Sequence, residues 1–349
     1  MCAAAKGRGA GINTANKFSR YKVEPETAEE TFDDIPQGPR TQFIPEYPKT
    51  IVSLSDSPDL PGYTSINPYR GCEHGCIYCY ARNSHEYWGY SAGEDFETKI
   101  IVKKNAPELL EKLFNSRSWS PRTIHLSGNT DCYQPAEKRF RLTRRLLEIC
   151  LQYRNPVSVL TKNALICRDL DILTKLAELN LVSAALSVTS LNENTRRLLE
   201  PRTATGQKRL QTIGALHEAG VPVGVMTAPL IPGLNDHEVP KIIEAAAKNG
   251  ACWAGLTIVR LNGAIDEIFK EWVYRSYPDR ADKILNQIRA CHNGSLNDSR
   301  FHQRMRGEGV LADSIHQMHR LACRRFLAGR SAPELDKTQF IKGGQLRLF

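Results

Sequence analysis

The chain has 349 residues, 41% of them hydrophobic and 24% charged, with a formal net charge of +9, which is the profile of a soluble globular protein with one large core or two. No apolar run approaches the roughly 18 residues of a membrane span, and the N-terminus lacks the apolar stretch of a secretory signal, so Cys2 is not read as a lipidated cysteine and the expected location is the cytoplasm. The basic excess fits a polyanionic partner, nucleic acid above all, against the plainer alternative of a solvated basic surface.

In chain order, residues 1–23 carry Lys6, Arg8, Lys17, Arg20 and Lys22, no acid, and the small-residue run GRGAG. Such a segment cannot build a core and is expected to be a flexible arm that touches phosphates or a neighbouring surface, or merely solubilises. A transit peptide fits less well, because no apolar face accompanies the basic run. The charge reverses in EPETAEETFDD, Glu24 to Asp34, and a proline-punctuated linker follows to residue 60.

Beyond residue 80, β-rich runs alternate with helical ones. The strands are expected at KIIVKK (99–104), TIHLSG (123–128), PVSVLTK (156–162), LVSAALSV (181–188), PVGVMTAPL (222–230) and CWAGLTIV (252–259). Helices are expected at LTRRLLEICLQYR (142–154) and at GQKRLQTIGALHEAG (206–220), the second stopping on Gly220 before Pro222, with a similar stop at Gly250. Strands buried on both faces and separated by single helices imply a parallel sheet with right-handed crossovers. No GxGxxG turn marks a dinucleotide fold. Polar residues instead gather at successive strand ends: Asn129, Thr130 and Asp131; Lys162 and Asn163; Ser187 and Thr189; Asn262. Active sites of parallel α/β barrels are built on that rim, and the number of strands suits an incomplete barrel.

The stretch NPYRGCEHGCIYCY (67–80) places thiols at Cys72, Cys76 and Cys79, with Gly71 and Gly75 free to bend the backbone around a guest. In a reducing compartment, clustered cysteines bind metal, while Cys150, Cys167, Cys252, Cys291 and Cys323 read as core fillers. Thiolates suit zinc and iron–sulfur clusters alike. A structural zinc would recruit a fourth ligand such as His74 or His85. A three-cysteine [4Fe–4S] cluster keeps one iron open.

CEHGCIYC resembles the CxxxCxΦC signature of the radical S-adenosylmethionine (SAM) enzymes, with Tyr78 at the aromatic position. The fold implied is α/β, a partial (β/α)6 radical SAM barrel over residues 60–262. A basic, partly flexible N-terminal arm and linker (1–59) would precede it, and a C-terminal helical extension or lid (263–349) would follow. The implied cofactors are a [4Fe–4S] cluster on Cys72, Cys76 and Cys79, and SAM, whose amino and carboxylate groups take the open iron. Tyr78 would lie near the adenine; a packed loop tyrosine is the alternative.

SVLTKN, LSVTSLNENTRRLLEPRTATGQKR and MTAPLIPG further resemble the branch that contains spore photoproduct lyases, which repair a thymine dimer in DNA. By that resemblance Lys162 contacts the SAM carboxylate or ribose, Thr130 the methionyl part and Ser187 the ribose, while the backbone at Ala228 approaches the adenine. The alternative for the hydroxyls is a turn or helix cap. For Lys162 the functional reading is stronger, because a lysine at the end of a buried strand calls for an anion. Glu200 and Arg202 form either a structural ion pair or a clamp behind the site. Where those lyases carry a cysteine that returns a hydrogen atom to the product radical, this chain has Gly128, so it reads as a sister group and dimer repair is not transferred. Cys132 is the candidate substitute donor, with a buried spectator as the alternative.

The resemblance implies a flavodoxin or ferredoxin reductant, reductive cleavage of SAM and hydrogen abstraction by a 5′-deoxyadenosyl radical. FHQRMRG (301–307), HRLACRRFLAGR (319–330) and FRLTRR (140–145) mix aromatic and basic residues as base-stacking, phosphate-binding surfaces do, or as amphipathic helices with a basic face do. Three functions stay open: a radical SAM enzyme on nucleic acid in repair or modification, one on a peptide or small metabolite, and a non-enzymatic iron–sulfur or zinc protein that binds nucleic acid. Neither an auxiliary cluster nor an oligomeric state is legible.

Overall fold

The protein is described by a computed structural model covering residues 7–18 and 40–344. Its strands are β1 (Gln42–Glu46), β2 (Val52–Leu54), β3 (Thr64–Ile66), β4 (Tyr69–Arg70), β5 (Lys99–Lys103), β6 (Ile124–Leu126), β7 (Val157–Thr161), β8 (Val182–Ser187), β9 (Val223–Leu230) and β10 (Ala254–Ile258). The larger sheet has the order β10-β9-β8-β7-β6-β3-β2. Its six strands β3 and β6 to β10 run parallel, and β2 is antiparallel at one edge. Among the described residues β10 and β2 pair with no further strand, which leaves the partial (β/α)6 barrel open on one side.

The outer face of this sheet is built from β-branched and aliphatic residues. Ile124, Leu126, Val157, Val159, Val182, Ala184, Leu186, Val223 and Val225 pack against Leu146, Leu147 and Cys150 of the helix Leu142–Gln152 and against Ile213 and Leu216 of the helix Gly206–Glu218. The second helix ends before Gly220, whose φ of 75° is the left-handed cap expected from the sequence; Gly250 stops its helix the same way at 92°. The inner face is different. Ser65, His125, Ser158 and Ser183 stand in register across β3, β6, β7 and β8, a row of small or polar side chains where a packed barrel carries bulky ones.

Two expectations are corrected. KIIVKK is β5, in a separate three-stranded sheet of order β1-β5-β4, and the first barrel strand is the three-residue TSI that precedes the cysteines. Three residues carry too little periodicity to be read. Residues 7–18 of the expected flexible arm lie against the cysteine loop, where Ala10 is buried beside Cys76, Ile77 and Tyr78. Within the expected C-terminal extension or lid (263–349), the helix Val310–Phe326 packs on the outer helix Val239–Lys248 through Ile315, Ala322, Val239 and Ile243. The acidic run Glu24–Asp34 lies outside the described residues. No helix among the described residues is long and apolar enough to cross a membrane.

Phe114, wholly buried between Trp119, Tyr153 and Phe340, ties the helix Ala106–Asn115 to the C-terminal tail. Phe114→Ala is expected to lower the unfolding free energy by about 3–5 kcal/mol, read from the urea midpoint. Burial pushes His125, stacked on Tyr63 at 4.1 Å, down from 6.5 to about 4. The folded protein therefore keeps it neutral while the unfolded chain takes up a proton, so its contribution is complete above pH 6.5 and is lost as the pH falls toward 4. His85, also lowered to about 4 by burial, shares that window, so His125→Gln removes part of the acid sensitivity.

Candidate cofactor and active site

The cysteine loop joins β4 to the 3-10 helix Tyr80–Trp88 and has little regular structure, so its backbone is satisfied from outside. The Cys72 amide donates to the Phe96 carbonyl at 2.8 Å, and the Ile77 amide to the Leu199 carbonyl at 3.0 Å. Gln134 spans the loop: its amide nitrogen donates to the Gly71 carbonyl at 3.0 Å and its oxygen accepts from the Glu73 amide at 3.1 Å. Gly75 has a φ of 69°, and a Cβ there would stand 2.8 Å from the Glu97 carboxylate. No larger residue fits that bend.

Glu97 is the wholly buried anchor beneath this loop. One oxygen accepts from Arg82 at 2.6 Å and from the Ala10 amide at 2.9 Å, and the other accepts from the Gly9 amide at 2.9 Å. Arg82, equally buried, also donates to the carbonyls of Cys76, Ala92 and Gly93. Gly9 approaches so closely that a Cβ would lie 1.9 Å from the Gly75 carbonyl oxygen. The run GRGAG is therefore a strap over the loop, and its small residues are what allow the approach. Sequence reasoning missed Glu97, Arg82 and this strap.

Cys72 and Cys76 are buried and Cys79 is partly so; burial pushes all three thiols up, and Cys72 and Cys76 are raised further by Cys79. Lys162, at the end of β7, points its ammonium toward the Tyr78 ring, 5.9 Å from the centroid. The ammonium makes no hydrogen bond or ion pair with a described residue. Burial would lower its pKa, but Cys76, Glu200 and Asp131 more than offset this and raise it. A buried thiol set next to an ammonium without a partner fits a cationic cluster together with a carboxylate ligand. Among the described residues no three His, Cys, Asp or Glu side chains converge as the ligands of one ion do; a cubane is larger, and each thiolate meets its own iron.

Two buried carboxylates frame the pair. Asp131 accepts from the Thr161 hydroxyl and the Lys162 amide, each at 2.8 Å, and lies 3.3 Å from Nδ1 of His74, between Cys72 and Cys76. Burial raises its pKa, yet His74 and these hydrogen bonds hold it at about 2. Glu200 accepts from the Tyr78 hydroxyl and pairs with buried Arg209 at 2.5 Å, and Arg209 also donates to the Ser187 carbonyl at 2.8 Å. Burial opposes ionisation, but Arg209 and Lys162 bring Glu200 to about 2. The pairing of Glu200 with Arg202 is thus corrected: Arg202 turns to Glu73, at 3.4 Å.

The other sequence-selected residues are placed as follows. The Thr130 hydroxyl donates to the Tyr69 carbonyl and the Ser187 hydroxyl to the Ala228 carbonyl, both at 2.7 Å, so each proton is committed while oxygen lone pairs remain. Cys132 points into the apolar core with Leu126, Leu146 and Tyr133, not to the loop. At Gly128 a Cβ would meet the Ser65 side chain at 2.6 Å and the Tyr63 ring at 3.3 Å, so the space a cysteine would need is already filled.

Residues 66–246 match the Radical SAM superfamily. An uncharacterized protein of Mycobacterium tuberculosis is 35% identical over 232 residues, 66% of this chain and 68% of that one. An uncharacterized protein of Methanocaldococcus jannaschii is 28% identical over 64% of this chain and 79% of its own. Spore photoproduct lyase complexed with dinucleoside spore photoproduct shares the fold, with a TM-score of 0.60 at 16% identity over 82% of this chain and 80% of that one. A double mutant of the lyase with bound AdoMet and dinucleoside spore photoproduct gives a TM-score of 0.54 at 16% identity over the same shares, 82% and 80%. The chain belongs to the radical SAM superfamily. It is a radical SAM enzyme, with a [4Fe–4S] cluster and SAM as cofactors.

Gly9→Val is expected to lift the strap off Gly75 and Glu97. The readout is faster amide exchange at residues 7–18 and less cluster iron retained after gel filtration. Glu97→Gln leaves the Arg82 guanidinium buried without a counter-charge and is expected to cost about 3–5 kcal/mol in urea unfolding.

Proposed function

We propose that this enzyme acts on nucleic acid, in repair or modification, with the substrate held at the open side of the barrel. The observation that carries the site assignment is the set of three buried or half-buried thiols beside the ammonium of Lys162, which makes no hydrogen bond or ion pair with a described residue. Cys72, Cys76 and Cys79 hold the cluster. Lys162 neutralises the carboxylate of SAM, or bonds its ribose. The Tyr78 ring, fixed by its hydroxyl on Glu200, offers a face to the adenine, and the Ala228 backbone, tied to Ser187, approaches it from β9. Thr130 and Ser187 offer oxygen lone pairs to the methionyl part and the ribose. When bound, the reduced cluster supplies the electron that splits SAM into methionine and the hydrogen-abstracting 5′-deoxyadenosyl radical. A flavodoxin or ferredoxin supplies that electron.

The protein's own part is to keep this region dry and fixed. Asp131 joins the cysteine loop, through His74, to the end of β7, so the lysine and the thiols hold a constant relation. Repair of a thymine dimer by the lyase route is not proposed: position 128 has no thiol and no room for one, and the core position of Cys132 supports a packing role rather than hydrogen donation.

The test is anaerobic reconstitution with iron and sulfide, then dithionite and SAM, with 5′-deoxyadenosine measured by chromatography. Cys72→Ala, Cys76→Ala and Cys79→Ala should each abolish cluster iron and product, and Cys150→Ala should leave both. Iron content that survives any of the first three changes overturns the ligand assignment.

A further inference from the structure

The open side of the barrel carries a set of residues that the cofactor site does not use. Arg304, from the segment beside β10, bonds Asp59 in the β2–β3 loop and donates to Ser57 at 2.6 Å, so a clasp joins the two unpaired edges. The Ile258 amide donates to the Met305 carbonyl at 3.1 Å, which holds this segment against β10. Phe301, 49% exposed, lies under Arg304 at 4.6 Å. FHQRMRG is therefore no helix face; it borders the opening.

Arg260 stands just past β10 on the same side. It is half-buried, its guanidinium makes no hydrogen bond or ion pair with a described residue, and its charged or ionisable neighbours include Arg304, Asp59, Tyr80 and His292. Burial and Arg304 both disfavour its positive charge; Asp59 offsets them only in part and is itself held by Arg304. A guanidinium in such a place lacks an anion. The nearby rings are Tyr80, half-exposed with its hydroxyl on the Gly128 carbonyl at 2.7 Å, and Tyr63, beside Gly128. Past Tyr63 a hollow of about 390 Å³ continues to two further cations, Arg122 and Lys337.

We propose that Arg260 is the phosphate contact of a single-stranded nucleic-acid track, running along the open side from Phe301 past Tyr80 and Tyr63 to Arg122 and Lys337. The arrangement fits a polymer better than a lone nucleotide, because cations and aromatic faces recur along the opening: phosphates pair with the first and bases stack on the second. An acidic peptide would pair with the cations and leave the rings unused. The proposal rests on the nucleic-acid reading above and gives that reading an attachment point.

The test uses the reconstituted holoprotein with SAM and a fluorescein-labelled single strand of mixed sequence, about 12 nucleotides long to span one such track, as DNA and as RNA, with anisotropy read across a salt series. Arg260→Gln is expected to weaken binding and to reduce the log–log salt slope by about one. Phe301→Ala should lower affinity roughly tenfold through lost stacking with the slope unchanged. Arg320→Gln, on the exposed outer helix, should change neither. An unchanged slope in Arg260→Gln, no binding of either strand, or competition by polyglutamate as effective as by unlabelled oligonucleotide overturns the proposal. Cluster iron and 5′-deoxyadenosine are measured on the same samples. Wild-type protein that keeps its iron and makes 5′-deoxyadenosine but binds neither strand loses the nucleic-acid reading and not its enzyme chemistry, whereas binding with an unchanged slope in Arg260→Gln loses the track alone.

Discussion

The buried carboxylate of Glu97 is the contact on which the cysteine loop depends. A loop that must wrap a large inorganic guest cannot use its own backbone for a helix or a ladder, so its polar groups need partners elsewhere. Glu97 gathers Arg82 from behind the loop and the amides of Gly9 and Ala10 from in front of it. Arg82 in turn caps the Cys76 carbonyl. A carboxylate at this depth is tolerable only when both oxygens are occupied and a cation is in contact, and here both conditions hold. The strap is thus part of the cofactor site, although it lies far from it in sequence.

The same logic governs the SAM side. Asp131 and Glu200 are ionised deep in the protein because each has donors in contact, the Lys162 amide among those of Asp131, and neither bonds the Lys162 ammonium, although its charge helps keep Glu200 ionised. The lysine is left over. Its charge is favoured by the carboxylates around it, while its hydrogen-bonding capacity is open toward a ligand. Separating the groups that stabilise a charge from the group that uses it is how a site stays ordered before its ligand arrives.

The parts of this arrangement legible in the sequence are those encoded locally. Cys72, Cys76 and Cys79 declare themselves by spacing, and Lys162 does so by ending a buried apolar strand. The strands β6 to β10 and the stops at Gly220 and Gly250 follow from periodicity and glycine chemistry. Glu97 was illegible because two of its partners, Gly9 and Ala10, lie 88 and 87 residues away, in a segment whose composition mimics disorder. Arg202 looked like the partner of Glu200 because it is nearest in sequence, but the helix that begins at Gly206 turns Arg209 inward instead. Cys132 stands near the rim, yet the turn that carries it donates its amide to Ser127 and aims the thiol at the core. Chain direction after a strand end is set by such turns and not by pattern.

The contrast between the two sides of the barrel bears on function. Around the cysteine loop the buried cations Arg82 and Arg209 have carboxylate partners, whereas Lys162 faces the place of a cofactor. On the open side the pairing is looser: Arg304 is spent on the clasp, Arg260 is unpaired among the described residues, and the rings of Tyr80 and Phe301 are half in solvent. The inner row of Ser65, His125, Ser158 and Ser183 adds to this, since small polar side chains there forgo packing that aliphatic ones would supply. A fold that satisfies its polar groups closely in one region and leaves cations, rings and small side chains in the next concentrates its unsatisfied chemistry where a substrate must enter. Lys162 and Arg260 are cations of that kind, neither with an ion pair among the described residues, one beside the cofactor's place and the other on the open side.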